Sequence, residues 1–319
     1  MPRAAERPAA PAAVVVPATL AASHQRYFGA AGDRWVAALP ALAATWLKRW
    51  ALVPDGPAAS GAVALVLPVR RADGTPAALK LQPVDDETAG EAAALRLWTG
   101  RGAVALLEHD PGSGTLLLER LDASRPLLTA AADAEATTVI ADLLVRLNAV
   151  PAPTGMRRLA DVAGATLASV PQARERASDP DERALLGTAA GLLAELLSEP
   201  LENRLLHWDL HHSNVLATPE GSGWRAIDPK PLAGDPGFEL LPALWNRWDA
   251  VESTGDVPGA VRGRFDRMTE VMGLERDRAA VWTLARVLQD ACWDLTSGRS
   301  VTLTPPHRAV AEALLERTG

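Results

Sequence analysis

Cysteine is almost absent from this sequence, since Cys292 is the single example among 319 residues. One cysteine can form neither an internal disulfide nor a cysteine-based metal knuckle, which indicates a reducing, cytoplasmic location. No stretch of eighteen uncharged apolar residues occurs, so we predict no membrane span. There is also no basic block, and 39 acidic against 32 basic residues leave a formal charge of −7. Nucleic acid is therefore excluded as an expected partner. The charge favours a small cationic ligand, although it equally serves solubility alone.

The first part of the chain shows the alternation of a small sheet with helices. Residues 1–18 are rich in Ala and Pro, which favours a disordered or loosely attached arm. Apolar spacing, turn residues and helix formers then predict the elements up to residue 121. These are a helix over 19–50, a β-hairpin turning at Asp73-Gly74, a helix over 85–99, and strands at 103–110 and 114–121.

After residue 121 the pattern becomes mainly helical, with short strand-like pieces around residues 204–228. We predict an α+β protein with an N-terminal lobe over 1–121, containing the arm, a helix and a small antiparallel sheet. A larger, mainly helical C-terminal lobe follows over 122–319. Such a division is expected to leave a cleft between the lobes, with the segment around 116–122 as the connection. We expect a monomer or a weak homodimer.

The stretch HWDLHHSN, residues 207–214, concentrates three of the six histidines beside an aspartate. All four side chains are competent ligands for zinc or iron. A strand that leads into a loop cannot keep them on one face, however, which argues against a transition-metal site. The spacing His-x-Asp-x-x-x-x-Asn, formed by His207, Asp209 and Asn214, instead matches a kinase catalytic loop.

Phosphoryl transfer needs an oriented hydroxyl, held phosphates and charge neutralisation by Mg²⁺, and this chain offers a candidate for each. Asp209 would orient the acceptor hydroxyl and take its proton. Asn214 and Asp228, which follows a predicted hairpin, would bind Mg²⁺ through hard oxygen ligands. His207 would be a scaffold residue packed beneath the loop and bonded to its backbone.

Lysine is scarce, and Lys80 is one of only three in the chain. Its compact ammonium suits the α- and β-phosphates of ATP, and Glu91 on the following helix could hold it in place. Two alternatives stay open. Lys80 could guard an edge strand against aggregation, or a neighbouring acid among Asp85, Asp86 and Glu87 could be its partner.

These residues in this order resemble the aminoglycoside phosphotransferase branch of the protein-kinase-like fold. The segments GEAAALRLW, LLLERLD, HWDLHHSNVL and AIDPKPLAGDPGFELLPALWNRW are similar to the streptomycin 6-phosphotransferase and hydroxyurea phosphotransferase family. The resemblance extends from about residue 14 onward. It implies a two-lobe kinase fold and an ATP-dependent enzyme that uses Mg²⁺.

The resemblance also implies roles for residues around this core. Phosphate cradling would depend on Ser60, Gly61 and nearby amides, because the segment ASGAVALVLPV contains no glycine other than Gly61. The adenine would bond to backbone groups near Glu119 to Leu121. Pro229 follows the metal-binding aspartate, and proline makes a regulatory flip of that segment improbable. The remaining residues near the loop carry open alternatives. Lys230 would touch the γ-phosphate or acceptor or pair with an acid, His211 would face the acceptor, His212 would be exposed, and Asp235 would cap a helix or steady the loop.

The acceptor is expected to be a small molecule, with a cation favoured by the charge, bound by the helical lobe. Asp290 and Asp294 lie four residues apart on one helix face and, with Glu239 and Asp249, would form an acidic wall for an aminoglycoside. Ordinary pairing of these acids with arginines is the alternative. The first hypothesis is a streptomycin 6-kinase-like enzyme that confers antibiotic resistance. The others are a kinase for hydroxyurea, an amino sugar or another metabolite, and a catalytically silent nucleotide-binding protein of the same fold.

Overall fold

The computed structural model describes residues 14–130 and 132–316. They form two compact units, one made of residues 14–92 and 105–120 and the other of residues 93–104 and 121–316. Within these described residues, no helix is both long and apolar enough to cross a bilayer. The prediction of a loose arm falls mainly on residues 1–13, which lie outside the described residues.

The first unit is an antiparallel sheet with a pair of helices. Its elements, together with the helix that begins in it and continues into the second unit, are α1 (Ala18–Phe28), α2 (Ala30–Arg49), β1 (Val53–Pro54), β2 (Ala59–Ser60), β3 (Leu65–Arg70), β4 (Pro76–Leu81), α3 (Glu91–Leu97), β5 (Leu106–Asp110) and β6 (Thr115–Glu119). The strand order is β1-β3-β4-β6-β5, and β2 also pairs with β3. The hairpin predicted at Asp73-Gly74 is confirmed as β3 and β4. Gly74 has a φ of +83°, a conformation that glycine adopts without strain.

The helix predicted over 19–50 is two helices, α1 and α2, and the single-helix prediction is wrong. They are separated at Gly29, whose φ of 54° and ψ of −136° lie outside the helical region. The apolar period does not report this break because both helices bury one face against the same core. Val14 and Val16 also pack against that core, so the end of the predicted arm is attached.

The helix predicted over 85–99 begins only at Glu91 in the structure, and its first turn was placed wrongly. The Asp85 carboxylate accepts hydrogen bonds from the backbone N–H groups of Glu87 and Thr88, each at 2.9 Å. An aspartate that bonds to the backbone two and three residues later stabilises a turn instead of helix. The Asp85 carboxylate therefore stabilises the turn that precedes α3.

The second unit is mainly helical, with two small antiparallel sheets. Its elements are β7 (Asp122–Pro126), α4 (Asp133–Asn148), α5 (Leu159–Arg176), α6 (Pro180–Leu196), β8 (Arg204–Leu206), β9 (Val215–Ala217), β10 (Trp224–Ala226), β11 (Leu232–Gly234), α7 (Leu241–Trp245), α8 (Trp248–Glu252), α9 (Val257–Met272), α10 (Arg276–Thr296) and α11 (Pro305–Leu315). The long helix α10 is central, since it packs against α5, α6 and α11. The sheet of the first unit and the helices of the second confirm the predicted α+β class.

Two small antiparallel sheets in the second unit position the segments of chemical interest. Strand β8 pairs with β11, and β9 pairs with β10 on one side and β7 on the other. The loop 207–214 therefore connects β8 to β9, and residues 227–231 connect β10 to β11. Both connections begin and end on paired strands, which restricts their backbone.

Candidate functional site

Lys80 forms a buried ion pair in the first unit. Its Nζ lies 2.7 and 2.8 Å from the two carboxylate oxygens of Glu91, and the Gln82 amide donates to the same carboxylate. Lys80 is 4% and Glu91 1% exposed. Strand β4 lies between β3 and β6, so the edge-strand explanation of Lys80 is wrong. Glu91 is the partner that the structure brings to it, while Asp85 is engaged in its own turn.

Ser60 and Gly61 lie where β2 turns toward β3. The N–H of Gly61 donates to the carbonyl of Ala64 at 3.0 Å, which closes a tight loop. A Cβ added at Gly61 would meet open space, so this backbone is accessible within its unit. The Ser60 hydroxyl is 3.2 Å from that of Thr19 in α1.

Glu119 and Leu121 lie on either side of the point where the two units divide. Glu119 exchanges two hydrogen bonds with Ala105, one through its backbone N–H at 2.9 Å and one through its carboxylate at 2.8 Å. Its side chain therefore fixes the backbone at the start of the segment that leads to β5. Leu121 is buried, with 8% of its surface exposed.

His207 lies beneath the loop of the second unit and is fully buried. Its Nε2 bonds to the carbonyl of Ile227 at 3.0 Å, and its Nδ1 accepts the N–H of Asp209 at 3.3 Å. Its own carbonyl accepts the N–H of Lys230 at 3.0 Å. Burial lowers the pKa of His207 to about 4, although the nearby carboxylates of Asp209 and Asp228 oppose this. The ring is therefore neutral at pH 7 and connects the loop to the 227–231 segment.

Asn214 and Asp228 are brought together by backbone bonds between the same two segments. The Asn214 amide donates to the carbonyl of Asp209 at 2.9 Å, and the Asn214 carbonyl accepts the N–H of Ile227 at 2.9 Å. Asp228 follows at once, with a positive φ of 58°. Because Nδ2 of Asn214 is used for the loop, its Oδ1 and the Asp228 carboxylate supply hard oxygen donors, which fit Mg²⁺.

Lys230 places a cation beside Asp209. Its Nζ is 3.3 Å from Oδ2 of Asp209, and both side chains are partly exposed. A lysine ammonium is a compact charge with three donors, so it can hold one carboxylate and still face a second anion. Of the two alternatives from the sequence, the structure shows pairing with an acid, and that acid is Asp209.

Trp208, the residue before Asp209, has a left-handed backbone with a φ of +67°. Its N–H donates to Glu239 at 2.9 Å, and its carbonyl accepts from Arg286 at 2.8 Å. The guanidinium groups of Arg157 and Arg286 lie 4.8 and 5.2 Å from its ring. Such a conformation costs about 1 to 3 kcal/mol and persists only where the surroundings impose it. The sequence indicated Arg286 only as an arginine that would pair with the acids of α10. Its contact with Trp208, and that of Arg157, leave no local pattern.

Glu239 was predicted in an acidic wall for the acceptor, and that prediction is wrong. It is 1% exposed and bonds to the backbone of Trp208 instead. Burial raises its pKa to about 7. One role considered for Asp235 was to hold the loop in place. In the structure Glu239 makes a contact of this kind, through the backbone of Trp208. Asp235 caps the short helical turn at 236–239 through the N–H of Gly237 and pairs with Arg278.

The two histidines near the end of the loop, His211 and His212, differ in burial. His211 is partly exposed, accepts the N–H of Ser213 and lies 6.3 Å from the ring of Trp245. His212 was predicted to be exposed but is fully buried, because the turn 212–214 directs it inward. Burial, then the nearby Arg264 and Arg247, lower its pKa to about 4.

The two aspartates of α10 also differ. Asp290 lies 3.2 Å from both Arg286 and Nε2 of His307, so the predicted alternative of arginine pairing holds for it. Asp294 is half-buried and accepts the backbone N–H of Arg299 through its carbonyl. Within residues 14–130 and 132–316, no three His, Cys, Asp or Glu side chains are grouped as a metal site.

Comparisons with known proteins give a consistent result. Residues 49–298 match the family described as aminoglycoside/hydroxyurea antibiotic resistance kinase. The streptomycin 6-kinase of Streptomyces glaucescens is 54% identical over 301 residues, which cover 94% of this chain and 97% of that protein. The hydroxyurea phosphotransferase of Kitasatospora aureofaciens is 54% identical over 310 residues, 97% and 88% of the two chains. A crystal structure of aminoglycoside phosphotransferase APH(4)-Ia aligns with a TM-score of 0.60 at 15% identity, over 88% and 99% of the chains, which bears on the fold alone.

Proposed function

The chain belongs to the aminoglycoside/hydroxyurea antibiotic resistance kinase family and has its protein-kinase-like, two-lobe α+β fold, and from this premise we propose that it phosphorylates an aminoglycoside hydroxyl with ATP. Streptomycin is the first candidate acceptor, because the relatives that match almost the whole chain include streptomycin 6-kinases. The observation that carries the proposal is the arrangement of Asp209, Asn214, Asp228 and Lys230 on two segments joined by backbone bonds.

Asp209 is the proposed base. Its carboxylate accepts a hydrogen bond from the acceptor hydroxyl and takes the proton as the oxygen bonds to the γ-phosphorus. The bond from that phosphorus to the β,γ-bridging oxygen breaks, and ADP leaves with the electron pair. Lys230 keeps Asp209 oriented and offers a positive charge to the transferring phosphoryl group. His207 does not compete for the proton, because its pKa is about 4 and its ring nitrogens are engaged.

Asn214 and Asp228 are the proposed Mg²⁺ ligands, and Lys80 is the proposed contact to the α- and β-phosphates. Bound Mg²⁺ would neutralise charge on the phosphates. Glu91 keeps the Lys80 ammonium in one position, as a buried carboxylate with both oxygens in contact can do. Ser60 and Gly61 would cradle phosphate, and backbone groups near Glu119 and Leu121 would bond to adenine. ATP as donor also favours the cytoplasm as the site of action. A monomer or a weak homodimer stays the expected working unit.

The acceptor contacts are proposed from the second unit. His211 and Trp245 lie beside the loop, and Asp290 and Asp294 lie on α10. Asp290 already pairs with Arg286 and His307, so its attraction for a cation is reduced. We therefore expect the aromatic ring of Trp245 to contribute to acceptor binding, as well as charge.

A screen of ATP consumption with streptomycin, other aminoglycosides and hydroxyurea tests the proposal, followed by mapping of the phosphorylated oxygen by NMR. Hydroxyurea is the second candidate because its phosphotransferase is equally similar, at 54% identity.

Asp209→Ala should abolish transfer and leave ATP affinity within about threefold, since the carboxylate acts on the acceptor. Asp142→Ala, an exposed aspartate of α4 in the same unit, is the matched control. Turnover retained by Asp209→Ala would refute the base assignment, and ATP binding without any transfer would indicate a silent member of the fold.

A further inference from the structure

Helix α1 contains a fully buried histidine that the proposed reaction does not use. The ring of His24 stacks on that of Trp35 in α2, with centroids 4.5 Å apart and planes inclined by 11°. Its Nε2 lies 2.9 Å from the carbonyl oxygen of Val63. Since a carbonyl only accepts, Nε2 is the donor and carries the hydrogen. A buried polar ring is costly unless it is hydrogen-bonded, so this contact specifies the position of the ring.

His24 is one of three side chains of α1 that hold the same loop. The hydroxyl of Ser23 donates to the carbonyl of Ala62, and Thr19 bonds to Ser60. These partners lie at residues 60, 62 and 63, between β2 and β3, where Gly61 exposes the backbone. Three contacts from one helix, to residues 60, 62 and 63, restrict the position of the whole short loop.

The carbonyls of Ala62 and Val63 matter for an anion. Carbonyl oxygens carry partial negative charge and repel phosphate, while backbone N–H groups attract it. Hydrogen bonds from Ser23 and His24 keep both oxygens directed at α1. The loop can then present its remaining polar backbone to a phosphate without first reorganising, which is the condition for tight anion binding.

The support beneath His24 is rigid. A Cβ added at Gly32 would lie 2.4 Å from the carbonyl oxygen of His24, so α1 and α2 meet backbone to backbone at this point. With its amide oriented so that the nitrogen faces α2, Gln25 also donates to the Asp33 carboxylate at 2.8 Å across the same helix pair. The ring therefore cannot follow the loop if the loop moves.

We propose that α1 is part of the nucleotide site, with His24 and Ser23 as positioning residues that turn the carbonyls of residues 62 and 63 away from the phosphates of ATP. The inference rests on the proposed function, because it assigns the loop to ATP. It predicts that damage to these contacts acts on phosphate binding and leaves adenosine and acceptor binding unchanged.

The test compares His24→Phe with His24→Gln and Gln25→Ala. Phenylalanine keeps the stack on Trp35 but donates no hydrogen bond to Val63. We expect the KM for ATP to rise about tenfold, because the Val63 carbonyl is then no longer held at α1 and can turn toward the phosphates, which it repels. The value of kcat, the KM for the acceptor and the affinity for adenosine should stay within about twofold. Glutamine, whose amide can donate, should restore part of the ATP affinity.

Gln25→Ala is the control, since it removes a contact between α1 and α2 without touching the loop. A role in stability alone would lower Tm in both Gln25→Ala and His24→Phe and leave the KM for ATP unchanged, and that result would overturn the inference. If His24→Phe does not fold, Ser23→Ala gives the same reading through the carbonyl of Ala62. Transfer by the wild-type protein is measured first. Its failure contradicts the proposed function, whereas a normal wild type with an unchanged His24→Phe contradicts this inference alone.

Discussion

Glu239→Gln should stabilise the protein at pH 8 and have little effect at pH 5. Glu239 is 1% exposed, and burial raises its pKa to about 7 from an ordinary value of 4.5. Gln keeps a carbonyl oxygen for the N–H of Trp208. Its amide would lie near Asn148, whose Oδ1 accepts no hydrogen bond from any described residue. The substitution therefore removes a buried charge and retains the contact to the loop.

The size and sign follow from proton binding. Below pH 4.5 the carboxyl group is protonated in the folded and unfolded states alike. Between about pH 4.5 and 7 the folded state keeps the proton that the unfolded state releases, so the free energy of unfolding falls as pH rises. Above pH 7 the full cost is present, and at about 1.4 kcal/mol per pH unit it reaches roughly 3 kcal/mol. Gln should recover about 1 to 3 kcal/mol of this, because its amide also loses solvent.

Urea denaturation of both proteins at pH 5 and pH 8 measures the effect. Glu182→Gln is the control at a second buried glutamate, which accepts the N–H of Leu303 and lies 3.6 Å from Arg308. There the substitution removes an ion pair, so no gain is expected at pH 8. Equal effects of Glu239→Gln at the two pH values would refute the reasoning, because the carboxyl group would then titrate normally.

Three further substitutions test the packing around the two groups of residues. Glu91→Ala leaves the buried Lys80 ammonium without its carboxylate and should cost about 3 to 5 kcal/mol in urea denaturation; a loss below about 1 kcal/mol would show that Lys80 reaches solvent. Leu288→Ala, at a fully buried position of α10, should cost about 2 to 5 kcal/mol by the same measurement, and an unchanged midpoint would contradict the burial. Gly32→Ala forces α1 from α2 at His24 and should lower stability by about 1 to 3 kcal/mol, whereas a stabilised variant would argue against the close backbone contact.

The elements that could be predicted from the sequence are those set by local chemistry. The Asp73-Gly74 hairpin follows from the turn that these two residues adopt. The pairing of Lys80 with Glu91 was within reach because lysine is rare and a helix with an acid follows the strand. The loop from His207 to Asn214 was recognised by its spacing, since contacts such as that of the Asn214 amide with the carbonyl of Asp209 join residues only five apart in sequence.

The features that could not be predicted depend on residues distant in sequence. Trp208 bonds to Glu239, 31 residues away, and to Arg286, 78 residues away, and neither distance leaves a local pattern. A glutamate before a helix looks like a solvated acid until its burial is known. The same reason applies to His212, which differs from the partly exposed His211 in the side of the turn to which it points.

The contacts of Arg286 in α10 show why net charge is a poor guide to the acceptor. Arg286 donates to the carbonyl of Trp208 and also pairs with Asp290, which in turn contacts His307. Asp290 and Glu239 therefore both form contacts inside the second unit. Arg286 connects the 207–214 loop to α10, the helix that carries Asp290 and Asp294. An acid whose charge is compensated by arginine attracts a cation less than an unpaired acid does. If the proposed function holds, we therefore expect selectivity for a cationic acceptor to depend on shape and ring contacts near the loop more than on the charge of −7 that the whole chain carries.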